Sequence, residues 1–247
     1  MLRQLTREPV LAAGISLAIL PPALLHFLSS EKVAWGGVAH ALFVGASAGA
    51  ATVAAIVLTV AAARRNDGRS VMIGSAFAVM AALLVLHGIA TPGVLFDDFG
   101  VVAFSGAATI PAGGVLLALC TLPILRHPGA VKPLLVMLGV LLAAIATLGF
   151  VGLAFPNTVP AVPEPRSAPA WIALGVGLGF YALIGWRAFR TYRLTRRAAD
   201  LLVVVGTAWL ACALAASLLL TYLDLGWWLG HGLEVPDRVA GRAVRDG

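Results

Sequence analysis

The chain has 247 residues, of which 60% are apolar and only 11% charged, with a mean hydropathy of +0.97. A water-soluble domain averages roughly 45–50% apolar and about 25% charged residues, so the composition excludes an ordinary soluble globule. The net charge of +6 does not imply nucleic acid, because the basic residues sit between apolar runs, where they anchor a membrane protein.

About 20 helical residues span the hydrocarbon core of a bilayer. Apolar runs of that length recur along the chain and predict an all-α, polytopic transmembrane helix bundle. About seven spans are expected, over residues 9–28, 33–63, 71–90, 101–125, 131–155, 168–186 and 200–222. The first run has a basic start and lacks an Ala-x-Ala site. It contains Pro21 and Pro22, and more spans follow it. It therefore reads as a membrane helix, not a cleaved signal. An eighth apolar segment, "LDLGWWLGHGLEV" over residues 223–235, is too short to cross and should lie in the interface or fold back against the bundle. The organisation is then a membrane bundle over 1–234 and a short polar tail over 235–247.

Orientation follows from the basic residues. With the N-terminus inside, the inner segments carry Arg3, Arg7, Arg64, Arg65, Arg69, Arg126, Lys132, Arg187, Arg190, Arg193, Arg196 and Arg197, and the outer loops only Lys32 and Arg166. The positive-inside rule places the N-terminus in the cytoplasm, with the chain in the cell inner (plasma) membrane. The acids sort the other way: Glu31, Asp97, Asp98, Glu164, Asp224, Glu234, Asp237 and Asp246 fall outside or in the tail, and only Glu8, Asp67 and Asp200 fall inside. Seven spans leave the tail arginines Arg238, Arg242 and Arg245 outside, against the rule. The segment "WRAFRTYRLTRRAAD" forms a basic, amphipathic inner stretch in which Thr195 or Asp200 can cap the following helix. The loop "FPNTVPAVPEPRSAP" should be extended and semi-rigid.

Small residues crowd the spans, as in "GASAGAATVAA" and "GVGLG", and let helices approach closely in lipid. Cys120 and Cys212 read as small core residues. There is no internal repeat of the kind that builds transporters from inverted halves, and few charges lie within the spans, which makes a small transporter the weakest reading.

Four of the five histidines fall in the outer layer: His26, His40, His87 and His231. Ionisable residues within spans are candidates for function, and imidazole suits zinc, copper and iron. No two have the i, i+4 spacing of a helical metal site, so a site must be assembled from different helices. Taken singly, each histidine reads as an interfacial or helix-linking hydrogen-bonder. Thr91-Pro92-Gly93 ends the third span just beyond His87, since proline disfavours helical geometry before it and glycine permits a turn. Trp227 and Trp228, with Trp35 and Trp171, fit a belt at the membrane boundary. The candidate ligand-binding set is His26, His40, His87, Asp97, Asp98, Asp224, Trp227 and His231. Its cofactor is unidentified, and no catalytic residue is expected.

Several chemistries are excluded by the residues present. The last span has no lysine for a retinal Schiff base. There is no Gly-x-Ser-x-Gly elbow, His-Glu-x-x-His helix, P-loop or Rossmann fingerprint. A haem or copper site built from the outer histidines stays open as an alternative.

"LHGIATPGVL", "TYRLTRRAADLLVVVGTAWLA" and "YLDLGWWLGHGLE" resemble the N-terminal multi-spanning region of bacterial HD-domain (HD-GYP-type) phosphohydrolases and related signalling proteins, over roughly residues 5 to 234. The resemblance implies an input module for a cytoplasmic domain acting on a cyclic dinucleotide. This chain has no adjacent His-Asp pair, so hydrolase activity does not carry over. Where the family continues into a last span, this chain reads "VPDRVAGRAVRDG", as expected of a stand-alone relative or a truncated receptor. The expectation is therefore a sensor or input-type membrane protein without its own catalysis. Its expected partners are the lipid bilayer, a cytoplasmic signalling domain or protein and, as a further candidate, a second copy of the chain.

Overall fold

The computed structural model describes residues 7–28, 31, 37–91, 100–155, 158–159, 164–220 and 225–233. Among the described residues there are eight α-helices and no strand. They are α1 (Arg7–Leu28), α2 (Gly37–Arg64), α3 (Gly68–Ile89), α4 (Gly100–Leu119), α5 (Val131–Ala154), α6 (Ala168–Thr195), α7 (Ala198–Leu219) and α8 (Leu225–Leu233). Seven of the eight, all but α8, are long and apolar enough to cross a bilayer. A helix satisfies its own backbone polar groups, which lipid cannot do, and this is why apolar runs of this length fold as helices. The chain is a multi-pass integral membrane protein.

The helices sort into two compact units, Ala34–Glu164 and Met1–Val33 with Pro165–Gly247. In the first unit α3 is the hub and packs against α2, α4 and α5. It is accordingly the most buried span, at 61% of its apolar window against 11% for α5. The contact stripe of α2 is His40, Val44, Ser47, Ala48, Ala51, Ala55 and Ala62, a helical repeat of mostly small side chains. Its opposite face exposes Val38, Leu42, Val53 and Ile56. Lipid is as apolar as these side chains, so association rests on close packing and polar links. Gly74 of α3 supplies one such approach, because a Cβ there would collide with the Thr59 Oγ1 of α2 and stand 2.9 Å from its backbone nitrogen.

The α2–α3 turn is tight. Asn66 takes a positive φ of 53°, a conformation asparagine tolerates. Asp67 then caps α3, its carboxylate accepting from the Arg69 and Ser70 N–H groups at 3.0 and 3.2 Å and from the Ser70 hydroxyl at 2.6 Å. Arg69 Nε donates to the Cys120 carbonyl at 3.1 Å, just past the end of α4. Two 3-10 turns, Pro123–Arg126 and Pro128–Ala130, lead into α5, the second capped by His127 Nδ1 accepting from the Gly129 N–H at 3.2 Å. Arg64, Arg65, Arg69, Arg126 and Lys132 therefore all belong to one end of this unit.

In the second unit α7 packs against α1, α6 and α8. Trp209 Nε1 of α7 donates to the Leu17 carbonyl of α1 at 2.8 Å, four residues ahead of Pro21, the proline whose missing N–H leaves that acceptor open. Arg166 covers the end of α7, its backbone N–H and Nε donating to the Leu218 and Leu219 carbonyls at 3.3 and 3.0 Å. Helix C-termini carry such orphan carbonyls, and a cation there also suits the dipole.

The fourth span is expected to reach residue 125, but α4 ends at Leu119. Pro123, which has no N–H to continue a helix, opens the 3-10 turn that follows. Two further expectations change here. The sixth span is expected to stop at residue 186, but α6 continues to Thr195. Leucine, tyrosine and arginine are adequate helix formers, and Tyr192, 4% exposed, gives the extension a packed anchor. Arg196 then closes α6 in the left-handed conformation. Neither Thr195 nor Asp200 caps α7, whose N-cap is Arg197 without a side-chain cap bond. The two side chains are engaged with each other across the α6–α7 turn, where the Thr195 hydroxyl donates to the Asp200 carboxylate at 2.5 Å and accepts from the Arg197 N–H at 3.3 Å. Second, Trp227 and Trp228 are 7% and 4% exposed, so they pack into their unit instead of standing in a belt. The cause is that α8, at 9 residues, is too short to cross and folds back on α1 and α7.

Ser70 and the two backbone N–H groups hold the Asp67 carboxyl below its ordinary value of 3.8. A lowered carboxylate stabilises above the unfolded value and loses that contribution as pH falls through the folded one. We expect Asp67→Ala to cost about 1 kcal/mol near neutral pH by chemical unfolding in detergent. The difference from wild type should vanish in acid; a difference that persists unchanged there would count against the capping role.

Candidate functional site

Lipid-embedded helices rarely carry ionisable side chains, yet α2 places His40 in its first turn and α3 places His87 in its last. The two helices run antiparallel, so both rings arrive at the end of the unit opposite the arginine-rich turns. They meet there. His40 Nε2 and His87 Nε2 lie 3.0 Å apart, with ring planes at 89° and centroids 4.8 Å apart. His40 is 1% exposed and His87 5%.

Each ring is held on its far side. His87 Nδ1 donates to the Val102 carbonyl of α4 at 2.6 Å. His40 Nδ1 lies 3.3 Å from the Thr91 hydroxyl, which also reaches the His87 carbonyl at 3.0 Å. Thr91 is fully buried. The Val102 carbonyl additionally faces the Ser105 hydroxyl at 3.2 Å. Four elements converge: the start of α2, the end of α3, the residue two past it, and the first turn of α4.

The hydrogen positions follow from chemistry. A carbonyl only accepts, so His87 Nδ1 carries a hydrogen. In the neutral tautomer His87 Nε2 is then the acceptor, and His40 Nε2 must donate to it. The pair is therefore directional when both rings are neutral: His40 gives, His87 receives, and His87 gives in turn to α4.

Gly106 makes this possible. A Cβ at Gly106 would stand 2.8 and 2.9 Å from His87 Cε1 and Nδ1, so only a hydrogen at this position lets the ring lie against α4 and reach Val102. Thr91, Val102 and Gly106 are the site residues that sequence reasoning missed. Thr91 is read there only as a helix stop, Gly106 is one of many small residues, and a backbone acceptor leaves no trace in a sequence.

The structure thus brings together two of the proposed ligand-binding residues. His26 is exposed on α1, its ring edge-on to Phe27 at 5.1 Å, and borders an apolar pocket of about 380 Å³ lined also by Leu178 and Cys212. His231 lies on α8. Trp227 is buried edge-on against Trp228, centroids 5.2 Å apart. Asp97, Asp98 and Asp224 lie outside the described residues. Arg187, Arg190 and Arg193 are exposed along the last turns of α6, and Arg196 and Arg197 are exposed in the turn that follows. Arg196 lies 5.8 Å from the Tyr192 ring.

Among the described residues no group of three or more His, Cys, Asp or Glu side chains could hold a metal. The histidine pair by itself is also ill suited to a haem iron between its rings. Two trans metal–nitrogen bonds of about 2 Å need the nitrogens about 4 Å apart, and these are 3.0 Å apart and bonded to each other.

Comparison of the chain with protein-family models, curated proteins and solved structures gives no match.

Gly106→Ala should cost about 1–3 kcal/mol in detergent unfolding, the usual range for overpacking, because the new methyl meets a ring fixed at both ends. Gly139→Ala, which adds a methyl into open space, should be close to neutral. Equal effects from the two would mean that Gly106 does not position His87.

Proposed function

We propose that this protein is a sensor or input-type module of a bacterial inner membrane, with its N-terminus in the cytoplasm and no catalysis of its own. The observation that carries this reading is the buried His40–His87 pair, which ties α2, α3 and α4 together at one end of a unit whose arginines gather at the other. A polar link in lipid is a discrete contact, either made or broken. A signal that acts on it shifts the population between two helix arrangements. The rigid α3 hub carries the change to the basic turns about 30 Å away, the length of a span at 1.5 Å per residue. Positive-inside asymmetry supports placing those turns in the cytoplasm. The exposed arginines 187, 190, 193, 196 and 197 offer a surface there for an acidic cytoplasmic partner. The likeness of "LHGIATPGVL" and "YLDLGWWLGHGLE" to the membrane region of HD-GYP-type signalling proteins supports the same reading.

The test needs no knowledge of the signal. Spin labels at Ser70→Cys and Thr121→Cys, with Cys120 and Cys212 replaced by serine, report the distance between the basic ends of α3 and α4. An input module should show two distance populations whose ratio changes when His87 becomes alanine. One distribution, identical in both proteins, would overturn the proposal.

A further inference from the structure

The second unit holds an apolar pocket of about 380 Å³ that the sensor reading does not use. α7 makes its floor with Ala211, Cys212, Ala215 and Ala216, small side chains on one stripe of the helix. α1 closes one side with Leu25, and α6 the other with Leu178. The floor runs from Ala211 to Leu220, about 14 Å at 1.5 Å per residue. That is half of the roughly 30 Å hydrocarbon core, the depth of one leaflet. At about 30 Å³ a carbon, the share of one water in the liquid, the pocket takes one chain of about a dozen carbons and has no room for two.

The mouth is polar where the floor is not. His26 stands there with Leu219 and Leu220 at the C-terminal end of α7. Arg166 binds the same helix end, its Nε donating to the Leu219 carbonyl at 3.0 Å and its backbone N–H to the Leu218 carbonyl at 3.3 Å. Nε is one corner of a planar guanidinium, so both terminal nitrogens remain for a second acceptor. Among the described residues no carboxylate pairs with them, and Glu31, the one described carboxylate at this end of the unit, is exposed beyond α1.

The chain of a ligand selects nothing here. Lipid is as apolar as the pocket, so an acyl chain gains nothing by moving from one to the other. The head selects. A carboxylate at the mouth meets the two terminal nitrogens of Arg166 end-on, in a pair of charge-assisted hydrogen bonds, and His26 brings a ring nitrogen to the same mouth. We propose that this pocket binds a single-chain carboxylic acid, a free fatty acid of about twelve carbons: its chain lies on the α7 floor and its carboxylate pairs with Arg166 beside His26. A phospholipid brings two chains and a larger head to a pocket with room for one chain. The site goes beyond the sensor reading and does not rest on it.

The test uses the full chain in nanodiscs of phosphatidylcholine, whose head carries no net charge, with Cys120 replaced by serine so that Cys212 is the one thiol. Cys212 lies on the pocket floor, so an occupant shields it from an apolar maleimide. Dodecanoic acid should slow the labelling at concentrations where dodecanol, the same chain without the charge, leaves it unchanged. Arg166→Gln should raise the dodecanoic acid needed by about three- to tenfold, between the worth of an exposed ion pair and that of a buried charged hydrogen bond, and Arg166→Lys should keep most of the effect. A second measurement needs no variant: dodecanoic acid with a photoreactive diazirine near its chain end, mapped by mass spectrometry, should attach to the 211–216 stretch and Leu178. Equal shielding by dodecanol, an unchanged response in Arg166→Gln, or attachment spread over the exposed Ile172 and Val176 would overturn the proposal. So would equal shielding by a two-chain phosphatidic acid, which would make the occupant a phospholipid.

Discussion

A polar group in hydrocarbon has no water to fall back on, and that constraint organises this protein. It forces the backbone into helices, and it forces two buried histidines to find partners in the chain itself. Leaving a buried polar group without a partner costs several kcal/mol, so the rings of His40 and His87, the Thr91 hydroxyl and the Val102 carbonyl form one connected set. The geometry of the first unit follows from it. α2 and α3 must bring their far ends within 3.0 Å nitrogen to nitrogen, and α4 must offer a bare backbone at Gly106 for the ring to lie on.

Close approach along the spans is the complement of that link. Gly74 lets α2 and α3 touch through Thr59, and alanines fill the rest of the α2 stripe. In the second unit Gly14 accepts Leu201 and Gly177 accepts Leu214, while Trp209 reaches the carbonyl ahead of Pro21. Small side chains there serve packing, and the few polar side chains serve register. At the basic end of the first unit, Asp67 and Arg69 do the same work in a wetter setting, capping α3 and covering the end of α4.

Most of the architecture is legible in the sequence alone. Runs of uncharged residues specify the seven long helices, because lipid permits little else. The end of α6 was not legible, since the apolar run stops at Trp186 while the helix depends on Tyr192, a residue whose burial shows only in packing. The tryptophans of α8 misled for a related reason. Sequence position puts Trp227 and Trp228 near a membrane boundary, but a helix of 9 residues is free to fold back and bury them. For the site, topology put His40 and His87 on the same side, yet it put His26 and His231 there as well. What separates the pair is the facing of α2 and α3, and that is set by the glycine and alanine stripe instead of by the histidines.

The central claim is that the two imidazoles hold each other inside the membrane unit. A double-mutant cycle with His40→Ala, His87→Ala and the double variant measures this directly, by reversible unfolding in mixed micelles. A made bond predicts non-additivity, with a coupling energy of about 0.6–1.7 kcal/mol, the range found for polar contacts between helices in lipid. Losses that simply add, with no coupling, would mean that the rings only lie near each other and that the account built on their bond is wrong.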